Sequence, residues 1–190
     1  MDLKQLNSEE VEVIYNNNMV LDFPSEELKP IDIIQKLITR KIYRCYGLYN
    51  SGQLLAYAFF ATSKSYLLLD YYSVCSKYRN KGIGSKFLNI LKENCKNYSG
   101  IIVEVEDVEF ADTEAEKIIR SRRIDFYKKN GMKMTNVSGE LFNVNYSIMC
   151  LCNIELDNSI VYEELQYIYK EMIPSELYLK YVKFSYKQIK

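Results

Sequence analysis

The chain is 190 residues long, with 48% hydrophobic residues, 25 basic and 25 acidic side chains, and no histidine. This length suits one well-buried domain. The equal charges argue against an electrostatic pull toward nucleic acid or an anionic membrane, so we expect neither as a partner. The absence of histidine excludes Ser-His and Cys-His nucleophiles, which leaves carboxylates, tyrosines, lysines or water for acid–base chemistry.

Five scattered cysteines favour a reducing compartment over a disulfide framework, so we expect a cytoplasmic protein. Cys150 and Cys152 form a C-x-C pair, and both fall on one face of a predicted strand. With no histidine to complete a zinc site, buried thiols are the better interpretation of this pair. We therefore expect no metal.

The first forty residues have the polar composition and the spacing of helices. Asn7 and Glu10 are placed as a capping box, in which two side chains bond the backbone N–H groups at a helix start. Pro30 suits the start of a second helix, because proline fixes φ near its helical value and lacks an N–H that would go unused there. We therefore predict two helices in this segment.

A change to apolar and aromatic runs then predicts strands. The first two flank a glycine-containing turn, Asn50-Ser51-Gly52, and a third follows a short polar turn, which indicates an antiparallel meander. A helix with one apolar face, residues 82–98, separates the third strand from a fourth, so that pair should be parallel with a right-handed crossover. The four predicted strands are residues 42–49, 53–62, 65–75 and 101–106.

A further helix should run from a capping box at Thr113 and Glu116 to a stop at Asn130. Its apolar register slips between Ile119 and Ile124, which predicts a kink or two short helices. The remaining predicted elements are strands at residues 132–137 and 146–153 and two helices separated by Pro174. The pattern as a whole predicts an α/β fold, with a mixed central sheet of about six to seven strands, flanked by helices and extended by C-terminal helices.

The segment Arg79-Asn80-Lys81-Gly82-Ile83-Gly84 stands between a strand and a long helix. Glycine there lets the backbone approach a ligand, and the free N–H groups of the helix start point to the same place, beside two cationic side chains. A dinucleotide fingerprint needs a small residue where Phe87 stands, and no P-loop spacing is present. The motif alone leaves a phosphate site and a plain turn as alternatives.

This segment resembles the coenzyme A pyrophosphate loop of the GNAT superfamily of acetyltransferases. Three other segments resemble that family's fourth strand, its fifth strand and its Φ-Y-x-x-x-G-F segment. In this chain they are residues 67–74, 102–106 and 124–132, with methionine in the last place. The resemblance covers about residues 42–153, and it implies a single GNAT-like domain over residues 1–190 with a C-terminal helical extension at about residues 157–190.

The resemblance implies that acetyl-CoA is the cosubstrate. Backbone groups of Tyr72, Ser73 and Val74 would pair with the pantetheine amides, as a peptide pairs with a sheet edge, and a bulge there would aim an N–H at the thioester oxygen. The diphosphate would lie against the loop and the helix start, at Arg79, Asn80, Lys81, Gly82, Ile83, Gly84 and Ser85.

Three residues have implied catalytic roles. Glu104 matches the glutamate of a Leu-Glu-Val-Arg strand in ribosomal-protein N-terminal acetyltransferases and would be the general base; a solvated carboxylate is the alternative. Asp70, on the neighbouring strand, is a rival base or a substrate anchor. Tyr127, four residues before Gly131, would donate a proton to the departing thiolate; a buried core tyrosine is the alternative.

The chain departs from the family pattern at Arg120 and Arg123, where many relatives have asparagine and alanine. These arginines, with Arg122, would either meet a coenzyme phosphate or an anionic substrate group, or pair with acidic neighbours on the same helix. The acidic neighbours are Glu114, Glu116 and Asp125.

The function implied is transfer of an acetyl group from acetyl-CoA to a primary amine of a small molecule or a peptide. The alternative is a non-catalytic module with the same fold that binds acyl-CoA or another protein through its tyrosine-rich C-terminal helices. A homodimer is left open.

Overall fold

The computed structural model describes residues 1–153 and 155–186. These residues form two compact units, one made of Met1–Thr62 with Leu69–Glu93 and the other of Ser63–Leu68 with the described residues from Asn94 onward. The helices are α1 (Ser8–Ile14), α2 (Val20–Asp22), α3 (Ile31–Thr39), α4 (Ile83–Asn94), α5 (Glu114–Lys129), α6 (Asn158–Met172) and α7 (Ser175–Tyr181). The strands are β1 (Asp2–Gln5), β2 (Tyr43–Asn50), β3 (Gln53–Thr62), β4 (Tyr66–Val74), β5 (Gly100–Glu106), β6 (Lys133–Leu141), β7 (Val144–Cys152) and β8 (Val182–Tyr186).

The predicted fold class is confirmed: the fold is mixed α/β, with mostly antiparallel strands, one parallel pair and flanking helices. The strand count needs correction, because the described residues contain eight strands rather than six to seven. The two additional strands, β1 and β8, are short. No described helix is long and apolar enough to cross a membrane.

The first unit contains the strand order β1-β2-β3-β4. The hairpin of β2 and β3 pairs Tyr43 with Ala61 at one end and Asn50 with Gln53 at the other, which confirms the predicted turn. Every residue from 55 to 61 in β3 is buried, because this strand has neighbours on both sides and is covered on both faces. It is the core of the unit.

Helix starts in this unit follow the predicted capping chemistry. Asn7 and Glu10 form both halves of the capping box at the start of α1, and Pro30 is the N-cap of α3. A π-helical segment, Tyr15–Met19, follows α1 and was not predicted. Strand β1 was also not predicted, because its sequence is polar. It is an edge strand that forms by pairing with β2, and its own composition does not indicate a strand.

The second unit contains the strand order β4-β5-β7-β6-β8, to which β4 contributes Tyr66–Leu68. These residues pair in parallel with the start of β5, which confirms the predicted parallel pair. β6 and β7 form a hairpin whose turn residues, Phe142 and Asn143, both have positive φ, as a type I′ turn requires.

Two expectations for this unit were wrong. Helix α5 is continuous over sixteen residues and is not divided into two short helices; Tyr127 is its one buried side chain, so the apolar register of the others is unconstrained. The C-terminal segment is not purely helical, because β8 follows α7 and pairs antiparallel with β6. The last four residues of the predicted extension lie outside the described residues.

Candidate functional site

The predicted phosphate loop joins a 3-10 turn, Ser76–Tyr78, to the start of α4. Asn80 and Gly82 have φ values of 60° and 73°, the left-handed region that asparagine and glycine adopt most easily. A Cβ added to Gly82 would meet no atom within 4 Å, so the backbone is open to a ligand there. This opening leaves the space that the predicted phosphate contact would need.

Helix α4 supplies the donors beside this opening. Lys86 N–H donates to the carbonyl of Gly82 (3.1 Å), which begins the helical hydrogen-bond pattern. The N–H groups of Ile83, Gly84 and Ser85 precede that bond, so they have no acceptor within the helix and carry the positive end of its dipole. The helix start therefore has the charge and the donors that phosphate oxygens require.

Tyr72 ties β4 to the loop. Its hydroxyl donates a 2.6 Å hydrogen bond to the carbonyl of Gly84, and its ring stacks on Phe87 with centroids 5.5 Å apart. Both contacts are to the first turns of α4. The strand end and the helix start are thereby held in one geometry.

The cationic side chains of the loop have partners within the protein. Arg79 Nε donates to the carbonyl of Val74 (2.8 Å), and its Nη2 donates to Oδ1 of Asp22. Lys81 Nζ donates to the carbonyl of Lys77 (3.0 Å). Both cations are engaged within the protein, so the backbone N–H groups at the helix start are the main candidates for the predicted phosphate contact.

Ser73 and Asp70 occupy β4 with different partners. Ser73 is buried, and its hydroxyl donates to Oδ2 of Asp22 (2.9 Å). Asp70 accepts from Lys29 Nζ at 2.9 and 3.0 Å and from the hydroxyl of Tyr43, with 8% of its side chain exposed. This carboxylate is therefore engaged by a cation and a phenol of its own unit.

Glu104 lies on β5 in the second unit and is half-buried. Its Oε2 accepts a 2.9 Å hydrogen bond from the hydroxyl of Tyr169, a buried residue of α6. The candidate base is thus oriented by the C-terminal segment that carried no family signature. It is not one carboxylate of a solvated acidic stretch.

Tyr127 is buried at 6% exposure near the end of α5. Burial raises the pKa of its phenol to about 12, against a smaller lowering by the charge of Arg123. Its ring meets Phe126 edge-to-face at 5.2 Å. The hydroxyl is therefore protonated at neutral pH, as a proton donor must be.

The arginines of α5 pair with acidic groups, but not with those expected. Arg120 donates to the carbonyl of Asp107 (2.8 Å) and to Glu106 (3.3 Å), and Arg123 donates to Glu106 (3.1 Å). The partner lies at the end of β5 rather than on the same helix. These contacts fasten the helix to the strand that carries Glu104.

All five cysteines are thiols rather than disulfides; four are buried and Cys152 is half-buried. Within residues 1–153 and 155–186, no group of three or more cysteine, aspartate or glutamate side chains is arranged to hold a metal ion. In the C-x-C pair on β7, Cys150 is buried and Cys152 is half-buried.

Residues 9–132 match the model of the Acetyltransferase (GNAT) family. The chain belongs to this family. The match includes β4, the glycine-containing loop, α4, β5 and α5, which are the elements that carry all the predicted site residues. No curated protein matches the chain in sequence.

Solved structures of GNAT acetyltransferases share the fold. A GNAT-family protein from Bacteroides thetaiotaomicron has a TM-score of 0.71 at 18% identity, over 87% of this chain and 93% of that one. A ribosomal-protein-alanine N-acetyltransferase from Brucella melitensis has a TM-score of 0.57 at 16% identity, over 80% and 99% of the two chains. An aminoglycoside 6′-N-acetyltransferase complexed with coenzyme A has a TM-score of 0.58 at 12% identity, over 83% and 99%.

Sequence reasoning missed two residues of this GNAT protein that contact the predicted site. Asp22 bonds Ser73 and Arg79, and Tyr169 bonds Glu104. Asp22 lies outside the segments with a family resemblance, and Tyr169 is one of eighteen tyrosines. Nothing in their spacing along the chain singled them out, because each acts across a long sequence separation.

Proposed function

We propose that this GNAT protein is a cytoplasmic N-acetyltransferase that moves an acetyl group from acetyl-CoA to a primary amine of a small molecule or a peptide. Membership of the family supports acyl transfer from coenzyme A to an amine acceptor. The observation that carries the proposal is the open, left-handed backbone at Gly82 beside the start of α4. That arrangement suits the diphosphate of coenzyme A.

In this proposal the first unit binds the coenzyme. The N–H groups at positions 83–85 bond the phosphate oxygens, and Tyr72 holds them in place through the carbonyl of Gly84. The backbone of Tyr72, Ser73 and Val74 offers the pairing groups of a strand end to the pantetheine amides. Acetyl-CoA supplies the activated thioester.

Glu104 and Tyr127 are the proposed base and acid. Glu104 takes a proton from the substrate ammonium, and the free amine then forms the N–C bond as the C–S bond breaks. Tyr127 gives its proton to the departing thiolate, and its raised pKa keeps it protonated beforehand. The amine nitrogen releases a second proton; of the two protons that nitrogen loses, one restores the Tyr127 phenol and the other goes to solvent, so the products are the amide and the coenzyme A thiol.

Glu104 suits the role of base better than Asp70 does. Asp70 is neutralised by Lys29 and bonded by Tyr43, so a substrate ammonium would have to displace an internal cation. Glu104 accepts a hydrogen bond from the neutral phenol of Tyr169, which orients the carboxylate. In this proposal Asp70 holds β4 to the segment that contains Lys29.

Calorimetric titration with coenzyme A tests the binding step. We expect measurable affinity in the wild type and at least hundredfold weaker binding in Gly82→Asp, because a carboxylate would occupy the phosphate position. Gly52→Asp is the matched control, since Gly52 has a similar φ of 78° and equally open surroundings. Equal affinity in both variants, or no binding by the wild type at millimolar coenzyme, would end the proposal.

Turnover with a panel of primary amines tests the chemical step. Glu104→Gln and Tyr127→Phe each remove one proton-transfer group, and we expect losses of about 10²–10⁴-fold in kcat. Wild-type rates in both would remove these two assignments.

The alternative, a binding module, is favoured by exposed apolar side chains on α7, where Leu179 is 80% exposed and Leu177 is 40% exposed. Intact coenzyme binding without turnover on any amine would favour it. Sedimentation analysis decides in the same samples whether the protein is a homodimer.

A further inference from the structure

Asp22, the last residue of α2, places a buried carboxylate among three donors. Its Oδ2 accepts from the hydroxyl of Tyr57 on β3 (2.8 Å) and from the hydroxyl of Ser73 on β4 (2.9 Å). Its Oδ1 accepts from Nη2 of Arg79. Nine per cent of its side chain is exposed. A buried charge is tolerated only when it is paired and hydrogen-bonded, and this one is both.

Arg79 connects that carboxylate to the coenzyme loop. Its Nε donates to the carbonyl of Val74 while its Nη2 bonds Asp22, so the planar guanidinium joins the end of β4 to α2. Arg79 is also the first residue of the Arg-x-x-Gly-x-Gly segment. The position of the loop therefore depends on the position of the guanidinium.

We propose that Asp22 is a positioning residue for coenzyme binding. It holds the Arg79 guanidinium in the orientation that links the loop to the end of β4. The inference rests on the proposed function, because it concerns the same phosphate site. It assigns Arg79 a structural task in place of direct contact with phosphate. It also makes the end of α2 a part of the coenzyme site.

Whether neutralising Asp22 weakens or tightens coenzyme binding distinguishes a positioning role from a purely electrostatic one. A carboxylate close to a diphosphate repels it, so if Asp22 acted through its charge alone, its neutralisation would tighten binding. Neutralisation would also free Arg79 to reach the phosphates. Positioning predicts the opposite, because the loop loses the geometry in which its N–H groups converge.

The test is a double-mutant cycle on the dissociation constant of coenzyme A, measured by calorimetry with the full chain. We expect Asp22→Asn to weaken binding about tenfold, the effect of losing one charge-assisted hydrogen bond. Arg79→Met should weaken it by a similar factor, and the double variant should be no weaker than either single one. A general loss of fold stability, unrelated to the contact between Asp22 and Arg79, would instead make the two effects on the dissociation constant add.

Tyr57→Phe is the matched control. It removes another donor to the same carboxylate and leaves the bond from Arg79 intact. We expect a lower melting temperature with coenzyme affinity within about twofold of the wild type. A loss in Tyr57→Phe as large as that in Asp22→Asn would overturn the inference, as would unchanged or tighter binding in Asp22→Asn.

If Asp22→Asn does not fold, Arg79→Lys decides. Lysine keeps a cation near the phosphates but cannot donate to Asp22 and to Val74 at once. If Arg79 positions the loop, Arg79→Lys should bind coenzyme A about tenfold more weakly. If Arg79 instead contacts phosphate directly, the variant should keep wild-type affinity, and that result would refute the inference. Absence of coenzyme binding by the wild type would instead be a failure of the proposed function.

Discussion

The hydroxyl of Tyr169 donates a 2.9 Å hydrogen bond to Oε2 of Glu104, across 65 positions of the sequence. Tyr169 lies on α6, beyond residues 9–132 that match the family. A segment outside the family match thus contacts the residue proposed as the base. This contact constrains which way the carboxylate faces.

Replacement of Tyr169 by phenylalanine should reduce catalysis more than binding. Loss of the donor removes one hydrogen bond that orients the Glu104 carboxylate, so we expect kcat to fall about three- to tenfold, with little change in KM for acetyl-CoA. Steady-state kinetics on the best amine of a panel measures this. Tyr167→Phe, on an exposed phenol of the same helix, should leave kcat unchanged. Equal effects in the two variants would contradict the orienting role.

Replacement of Tyr72 by phenylalanine should weaken coenzyme binding. The ring stack on Phe87 remains, while the bond to the Gly84 carbonyl is lost, so we expect a three- to tenfold higher dissociation constant, roughly 1 kcal/mol. Calorimetry measures it. The control is Tyr78→Phe, which removes an exposed bond to Gln53 beside the same loop and should have no effect.

Replacement of Asp70 by asparagine should destabilise the fold. Lys29 would keep a partly buried charge without its anion, and we expect the free energy of unfolding to fall by about 2–4 kcal/mol. Urea denaturation checks this. Asp32→Asn breaks an exposed ion pair with Lys36 and should cost less than about 0.5 kcal/mol. A cost for Asp70→Asn as small as for Asp32→Asn would show that the buried pair contributes nothing.

Alkaline pH should unfold the protein through its buried tyrosines. Burial raises the pKa of both Tyr71 and Tyr127 to about 12 in the folded state, against about 10 when unfolded. The unfolded chain therefore releases these protons first, and stability is complete below pH 10 and falls as the pH rises from 10 to 12. Tyr127 accounts for about 2–3 kcal/mol of this loss.

Urea denaturation followed by circular dichroism, at half-unit steps from pH 8 to 11.5, gives the slope of the free energy of unfolding against pH. Tyr127→Phe should show a shallower decline than the wild type above pH 10, because one of the ionising groups is absent. An identical slope would mean that the phenol of Tyr127 does not ionise on unfolding.

Local sequence patterns predicted much of the fold correctly. The capping box at Asn7, the turn at Asn50-Ser51-Gly52 and the crossover helix after Gly82 are set by residues within a few positions of one another. Their geometry depends on backbone freedom and on side chains that bond nearby N–H groups. A cap, a tight turn or a helix start can therefore be predicted from the few residues that form it.

Short strands and helix continuity were not predictable in this way. β1 and β8 form because β2 and β6 present free edges to them, and no composition within four or five residues specifies that. The slip in the apolar register of α5 had no consequence, because most of that helix is exposed. For β1, β8 and α5, the secondary structure depended on what packs or pairs against the segment and not on the residues of the segment itself.

The amino-acid sequence by itself determined the backbone geometry of the loop proposed to bind coenzyme phosphate, since a left-handed glycine at the start of a helix is a local property of residues 79–85. Only the tertiary structure decided the partners of the three buried or half-buried carboxylates: Asp22 with Arg79, Asp70 with Lys29, and Glu104 with Tyr169. These pairs are separated by 57, 41 and 65 positions, respectively. The energy of a buried carboxylate depends on the donors that packing brings to it, and spacing along the chain carries no record of them.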